Sequence, residues 1–177
     1  KSILPIILNK FFNTHKSIRI MGNLPYNISS KILFKIIGKI DLIDDCYFML
    51  QKEVVDRIIS NSGSKNYSRL TVNVQSMCNV KKIIRIPPQV FVPKPKVDSS
   101  FIRLSNKKTY IDNNKKIEVL RKITKITFGK RRKILKNTLS SINKLKPPVD
   151  FSLRAEQLSV EEYILLTKWI IEKKIIL

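Results

Sequence analysis

Four glycines, Gly22, Gly38, Gly63 and Gly129, are too few and too scattered to build a Gly-rich loop that cradles phosphates. The two cysteines, Cys46 and Cys78, lie in apolar contexts without metal-ligand spacing. This argues against a zinc site or a disulfide framework and for buried, reduced thiols in a cytosolic setting. The one histidine, His15, reads as an exposed residue near a helix end. No apolar run approaches the roughly 18 residues that span a bilayer. The early stretch from Ser2 to Leu8 is interrupted by Pro5 and is followed by no small-residue cleavage site. The chain is therefore expected to be soluble, cytoplasmic and free of membrane. Acidic residues are also scarce: 13 Asp and Glu face 35 Lys and Arg, a net charge of +22 that points to a polyanionic partner.

What is present narrows the reading. A hydrophobic fraction of 43% in 177 residues suits a folded core and excludes a disordered basic tail. Lys (26) far outnumbers Arg (9) and Ile reaches 28, a bias that AT-rich coding also produces. The placement of charge is thus more informative than its total. Residues 115–146 hold twelve basic side chains and one acid, Glu118, marking that segment as the phosphate-facing surface.

Strand-like and helix-like patterns alternate in the first part. Ser17 to Met21 reads as a strand, and a helix follows, capped near Ser29 or Ser30, with Ile32, Leu33, Ile36, Ile37 and Ile40 inward. Cys46 to Gln51 has the character of a central parallel strand, followed by a helix to Ile59. Such alternation predicts a doubly wound α/β sheet, whose ligands sit beyond the carboxyl ends of strands, where Asn23 and Gln51 fall. Further expectations are a helix over 6–12, a helix over 67–78 and strands over 81–86 and 97–104. Between those strands lies a segment stiffened by Pro87, Pro88, Pro93 and Pro95. The polar stretch 106–114 predicts a boundary between a unit at 1–106 and an all-α unit at 107–177. The latter should hold helices over 115–129 and 130–142 and a last helix opened by the capping box Ser159 and Glu162.

Asn23-Leu24-Pro25-Tyr26 carries the sharpest chemistry. An exocyclic amine on a nucleobase is a poor nucleophile because its lone pair is delocalised into the ring. To methylate it, an enzyme must hold both N–H groups with acceptors off the base plane and grip the ring on its face. The Asn23 side-chain oxygen and the Leu24 carbonyl can be those acceptors, and Tyr26 supplies a stacking face. Pro25 keeps Leu24 out of the helical region, which presets the direction of its carbonyl, and Gly22 lets the backbone pass close to a ligand.

Residues 22–30, together with Met49 to Arg57, Tyr67 to Leu70 and Phe91 to Ser100, resemble the blocks of the ribosomal RNA adenine N6,N6-dimethyltransferases. The likeness continues at Phe128, Arg131 to Lys133, Arg154 to Glu156 and Leu158 to Tyr163, in order and at similar spacing. It looks more like the small-subunit type than the large-subunit resistance type. DNA adenine methylases usually place proline where Leu24 stands.

The resemblance implies the C-terminal part of a Rossmann-like class I methyltransferase sheet plus a small helical domain. Most of the S-adenosylmethionine site would lie outside such a part. It also implies that Asn23 stands beside the methionine end of that cofactor as well as the target amine. Phe91 would pack on the base opposite Tyr26. An edge hairpin would close the sheet, its last strand antiparallel to the rest. Lys94, Lys96, Arg131, Arg132 and Lys133 are candidate phosphate contacts on ribosomal RNA, with the chain acting as a monomer on the small subunit. Glu53, Asp56 and Arg57 read as a helix-surface charge set and Asp98 as a brace for the loop. The rival from another class is a non-catalytic RNA-binding or assembly factor.

Overall fold

The computed structural model describes residues 18–176. The expected helix over 6–12, Ser17 and His15 lie outside the described residues. Four strands form one sheet in the order β1-β2-β4-β3: β1 (Arg19–Asn23), β2 (Asp45–Gln51), β3 (Cys78–Ile86) and β4 (Ser99–Asn106). β1 and β2 are parallel, while β4 is antiparallel to both β2 and β3. Helices α1 (Ser29–Ile37), α2 (Lys52–Ile58) and α3 (Arg69–Gln75) belong to this part. Helices α4 (Asn114–Gly129), α5 (Leu135–Thr138), α6 (Ser140–Asn143) and α7 (Val160–Glu172) follow. No helix among the described residues is long and apolar enough to cross a membrane.

Alternation along the strands sorts the two faces of the sheet. Cys46, Phe48, Leu50, Ile102 and Leu104 are buried in the core. The opposite face carries Met21, which is 66% exposed, and the row Arg19, Tyr47 and Arg103, in which both guanidiniums lie over the Tyr47 ring. Burial pushes the Cys46 thiol up to about 12 and raises that of Cys78 as well, so both free cysteines are protonated and inert.

Three expectations change for identifiable reasons. α1 has no serine cap; Ile28 holds that position, and the Ser29 hydroxyl instead donates to the Tyr26 carbonyl at 3.2 Å. The helix expected over 67–78 ends at Gln75, because the chain from Cys78 onward pairs with β4, lengthening β3. The helix expected over 130–142 is broken into short pieces. There the Leu135 and Lys136 N–H groups donate to the Leu153 and Phe151 carbonyls, replacing helical bonds with contacts from a distant stretch.

The capping box at Ser159 forms as expected, with each residue bonded to the other's backbone N–H. Buried residues on both sides of position 106 belong to one continuous cluster. Tyr67, Phe128 and Tyr163 form an aromatic row with centroids 6.1 and 6.0 Å apart. The Asn73 amide donates to the Thr124 hydroxyl at 2.9 Å. These contacts join α3 and the loop before it to α4 and α7.

Because the core is continuous, Leu120→Ala should destabilise one cooperative transition by about 2–5 kcal/mol. Trp169 fluorescence and far-UV circular dichroism should then report the same urea midpoint. A second expectation concerns Asp45, which is 1% exposed and ion-paired to Arg19 at 2.6 Å and to Arg103 at 3.0 Å. The hydrogen bond from Arg19 is the largest influence holding its carboxyl below the usual range, against the opposing effect of burial. A carboxylate with a lowered folded-state pKa adds stability above its unfolded value, near 3.9, that is lost as pH falls through the folded value. Asp45→Asn should therefore lower the urea midpoint at pH 7, and the deficit should shrink as pH falls below about 4.

Candidate functional site

β1 ends where its ladder with β2 ends. The Leu24 N–H still donates to the Met49 carbonyl at 3.1 Å, and the Leu24 side chain is buried in the core. At Pro25 the chain leaves the ladder. The Pro25 carbonyl accepts from the Ile28 N–H at 3.1 Å, closing a turn that leads into α1. Asn23 stays exposed at the strand end on the same face as Arg19 and Met21. No hydrogen bond among the described residues engages its side chain or the Leu24 carbonyl, so two neutral acceptors stand ready at one spot.

Tyr26 is anchored at its far end. Its hydroxyl lies 2.7 Å from that of Ser99, the first residue of β4, which is fully buried. This bond fixes the ring relative to the sheet while leaving its side half-exposed. Across from it, Phe91 follows a short 3-10 turn, Pro88–Val90, and its N–H donates to the Pro88 carbonyl at 3.2 Å. Asn23, Leu24, Pro25, Tyr26, Phe91, Pro93 and Pro95 line one open cavity of about 340 Å³. Two aromatic side chains and two acceptors thus meet in a space of the size small ligands occupy. The carbonyls and amide can take N–H donors, and the walls can grip a flat ring. Gly22 has open space at its side: a β-carbon there would meet nothing nearer than Leu24 Cδ2 at 4.0 Å, so close approach is not forced by the described residues.

The proline segment is pinned to the sheet. Asp98 pairs with Arg85 at 2.6 Å, and its carbonyl accepts from the Lys52 N–H at 2.8 Å. The expected bracing role of Asp98 is what the geometry displays. On α2, Arg57 pairs with Glu53 and Lys52 with Asp56, which also meets Lys82 of β3 at 3.7 Å. Pro93 and Pro95, expected only to stiffen the segment, also line the cavity, and Ser99 anchors Tyr26. Ser99 carries no chemical signature of its own and gains its role only from strand register.

Lys94 and Lys96 are exposed on the proline segment. Among the basic residues of 115–146, Lys116 pairs with Asp112 and Arg121 donates to the Phe34 carbonyl. Arg131 donates to the Lys65 carbonyl at 3.1 Å and pairs with Glu156 at 3.4 Å. The other nine, Arg132 and Lys133 among them, are exposed. Arg131 is therefore a brace between distant loops, whereas its two neighbours face outward.

Set beside known proteins, this geometry has clear counterparts. A model of the family described as ribosomal RNA adenine dimethylase matches residues 4–172. Ribosomal RNA small subunit methyltransferase A of Francisella tularensis subsp. novicida is 47% identical over 166 residues, covering 89% of this chain and 62% of that protein. The protein of the same name from Buchnera aphidicola subsp. Schizaphis graminum is 45% identical over 175 residues, covering 96% and 63%. The chain thus spans just over three fifths of the length of these curated relatives. Among solved structures, a dimethyladenosine transferase from Plasmodium falciparum superposes with a TM-score of 0.76 at 27% identity, over 88% of this chain and 67% of that one. The 23S rRNA methyltransferase ErmE, at 19% identity and a TM-score of 0.61 over 89% and 68%, shares the fold. With its motif blocks, its sheet and its extent of match in agreement, the chain belongs to the ribosomal RNA adenine dimethylase family.

Proposed function

We propose that these residues form the target-base side of an enzyme that dimethylates the exocyclic amine of adenines in small-subunit ribosomal RNA. The cofactor of this reading is S-adenosylmethionine, and the setting is cytoplasmic, with the protein acting as a monomer. The observation that carries the reading is the convergence of Asn23, Leu24, Tyr26 and Phe91 on one cavity. The likeness to relatives named as small-subunit methyltransferases supports the choice of RNA.

The fit to the cofactor is limited to one end. Asn23, a neutral amide at a strand terminus, suits the methionine end. The cavity lining contains no carboxylate to hold a ribose, so no nucleoside grip is assigned to the described residues. When bound, S-adenosylmethionine supplies a methyl group on a positively charged sulfur, a good leaving group. The residues of this chain then have a positioning task. Asn23 Oδ1 and the Leu24 carbonyl accept the two N–H groups and draw the lone pair out of conjugation with the ring. Tyr26 and Phe91 hold the base by its faces, offsetting the few kcal/mol that extrusion from a helix requires. Neutral acceptors suffice because the amine becomes acidic only as the new bond forms, and positioning dominates the rate gain.

In the whole protein containing these residues, Asn23→Ala should lower kcat on undermethylated small subunits by about 100-fold or more, the scale for losing one preorganised hydrogen-bond partner. RNA affinity should persist in that variant, and unchanged turnover would remove Asn23 from the mechanism. Tyr26→Ala and Phe91→Ala should each weaken base capture by about 1–3 kcal/mol.

The exposed cations support a phosphate-binding role for the helical part. Replacing Arg132 and Lys133 by glutamine should weaken binding alike for any RNA sequence. It should also flatten the log-affinity against log-salt slope by roughly 0.7–0.9 per lost contact in filter-binding titrations. Arg131→Gln should instead lower the thermal midpoint and leave that slope nearly unchanged.

A further inference from the structure

A second cleft, of about 500 Å³, shares the proline segment with the target-base cavity. Its walls include Gln51 at the end of β2, Glu53 and Asp56 of α2, Asn66 of the following loop, and Lys96 and Asp98 of the proline segment. That segment is a partition: Phe91, Pro93 and Pro95 face the first cavity, while Lys96 and Asp98 face the second. Strand pairing also links the two spaces. Tyr26 is bonded to Ser99, and Ser99 is the register partner of Gln51. Adjacent strands lie about 4.8 Å apart, so Gln51 of the second cleft stands beside the Ser99 anchor of the first cavity.

Three carboxylates in the cleft would repel a phosphodiester, but each has a cation of its own. Asp56 pairs with Lys52 and with Lys82 at 3.7 Å, Glu53 with Arg57, and Asp98 with Arg85. What remains is two neutral amides and one ammonium. No hydrogen bond or ion pair among the described residues engages the side chains of Gln51, Asn66 or Lys96. Gln51 occupies the cap position of α2, yet its side chain makes no cap bond. The Asn66 loop is held by the Gly63 N–H, which donates to the Glu156 carbonyl at 2.7 Å with Gly63 at φ +81°. A site for phosphate alone would gather cations; this one presents amides, which offer a donor and an acceptor each and so match the edge of a base.

We propose that this cleft receives the nucleotide adjoining the target base, with Gln51 and Asn66 reading its base edge and Lys96 meeting the phosphate between the two. The inference rests on the first cavity being the target-base site. The RNA is therefore gripped at two successive bases, one turned toward the methyl donor and one read for identity.

The test uses the 177-residue chain and a 15-nucleotide oligouridylate carrying one central adenosine. With 4-thiouridine directly next to the adenosine, irradiation should crosslink residues 51–66 or 96–98; with 4-thiouridine five positions away it should not. Changing the neighbouring base among U, C and G should alter affinity by about 3- to 10-fold, the scale of one or two hydrogen bonds. That spread should collapse in the Gln51→Leu, Asn66→Leu double variant, with affinity for the preferred base falling to that of the weakest. Crosslinks from the adjacent position that fall only on residues 115–146 would overturn the proposal, as would an undiminished spread in the double variant. A Tyr26→Ala, Phe91→Ala variant separates the two levels. If it loses the preference for the adenosine oligomer over plain oligouridylate, the target-base reading stands whatever the cleft does. If it keeps that preference, both fall together.

Discussion

The hydrogen bond from the Leu24 N–H to the Met49 carbonyl is the last rung of the parallel ladder between β1 and β2, and the geometry of the candidate site depends on it. It carries the strand one residue past Asn23, so that Asn23 projects on the open face while Leu24 turns into the core. The chain leaves the ladder at Pro25, and no hydrogen bond among the described residues engages the Leu24 carbonyl or the Asn23 side chain. An amine held there meets two acceptors whose positions are set by the sheet rather than by side-chain choice. Moving the ladder by one residue would exchange the two faces and bury the amide.

The remainder of the site is arranged around that strand end by long-range ties. Tyr26 is fixed through Ser99, which β4 delivers because it pairs antiparallel with β2. Phe91 stands on a segment whose prolines limit its freedom and whose exit is held by Asp98 against Arg85 and Lys52. Preorganisation of this kind suits a reaction with little acid–base demand. The groups at the cavity are neutral, and their contribution is direction and distance.

Several blocks that carry the family likeness lie far from the cavity and act by packing. Tyr67, Phe128 and Tyr163 form one buried aromatic row. The Tyr163 hydroxyl donates to the Ala155 carbonyl at 2.9 Å. Arg131 meets Glu156, whose own backbone carbonyl accepts from Gly63. These contacts weld the basic helices to the sheet, so that the exposed cations of 115–146 keep a constant relation to the cavity. Under the proposed function, a polyanion bound across them would be presented to the cavity in a defined register.

The local pattern determined a good deal by itself. Alternation and apolar runs marked β2, α1 and α7, and the Ser159–Glu162 spacing marked a cap, because these depend on near neighbours and on periodicity. Asn23 to Tyr26 were legible as a candidate site from their residue types, and the structure places all four on one cavity. Tertiary structure decided what distant segments do to one another. The stretch 130–142 has a helical pattern, yet 151–154 captures its backbone N–H groups and breaks it. Arg131 and Arg132 look alike in sequence, and only the nearness of Lys65 and Glu156 makes one a brace and leaves the other to solvent. The contacts of Ser99 and Asn66 could not be read from the chain, since register and loop anchoring arise from pairings between residues far apart in sequence.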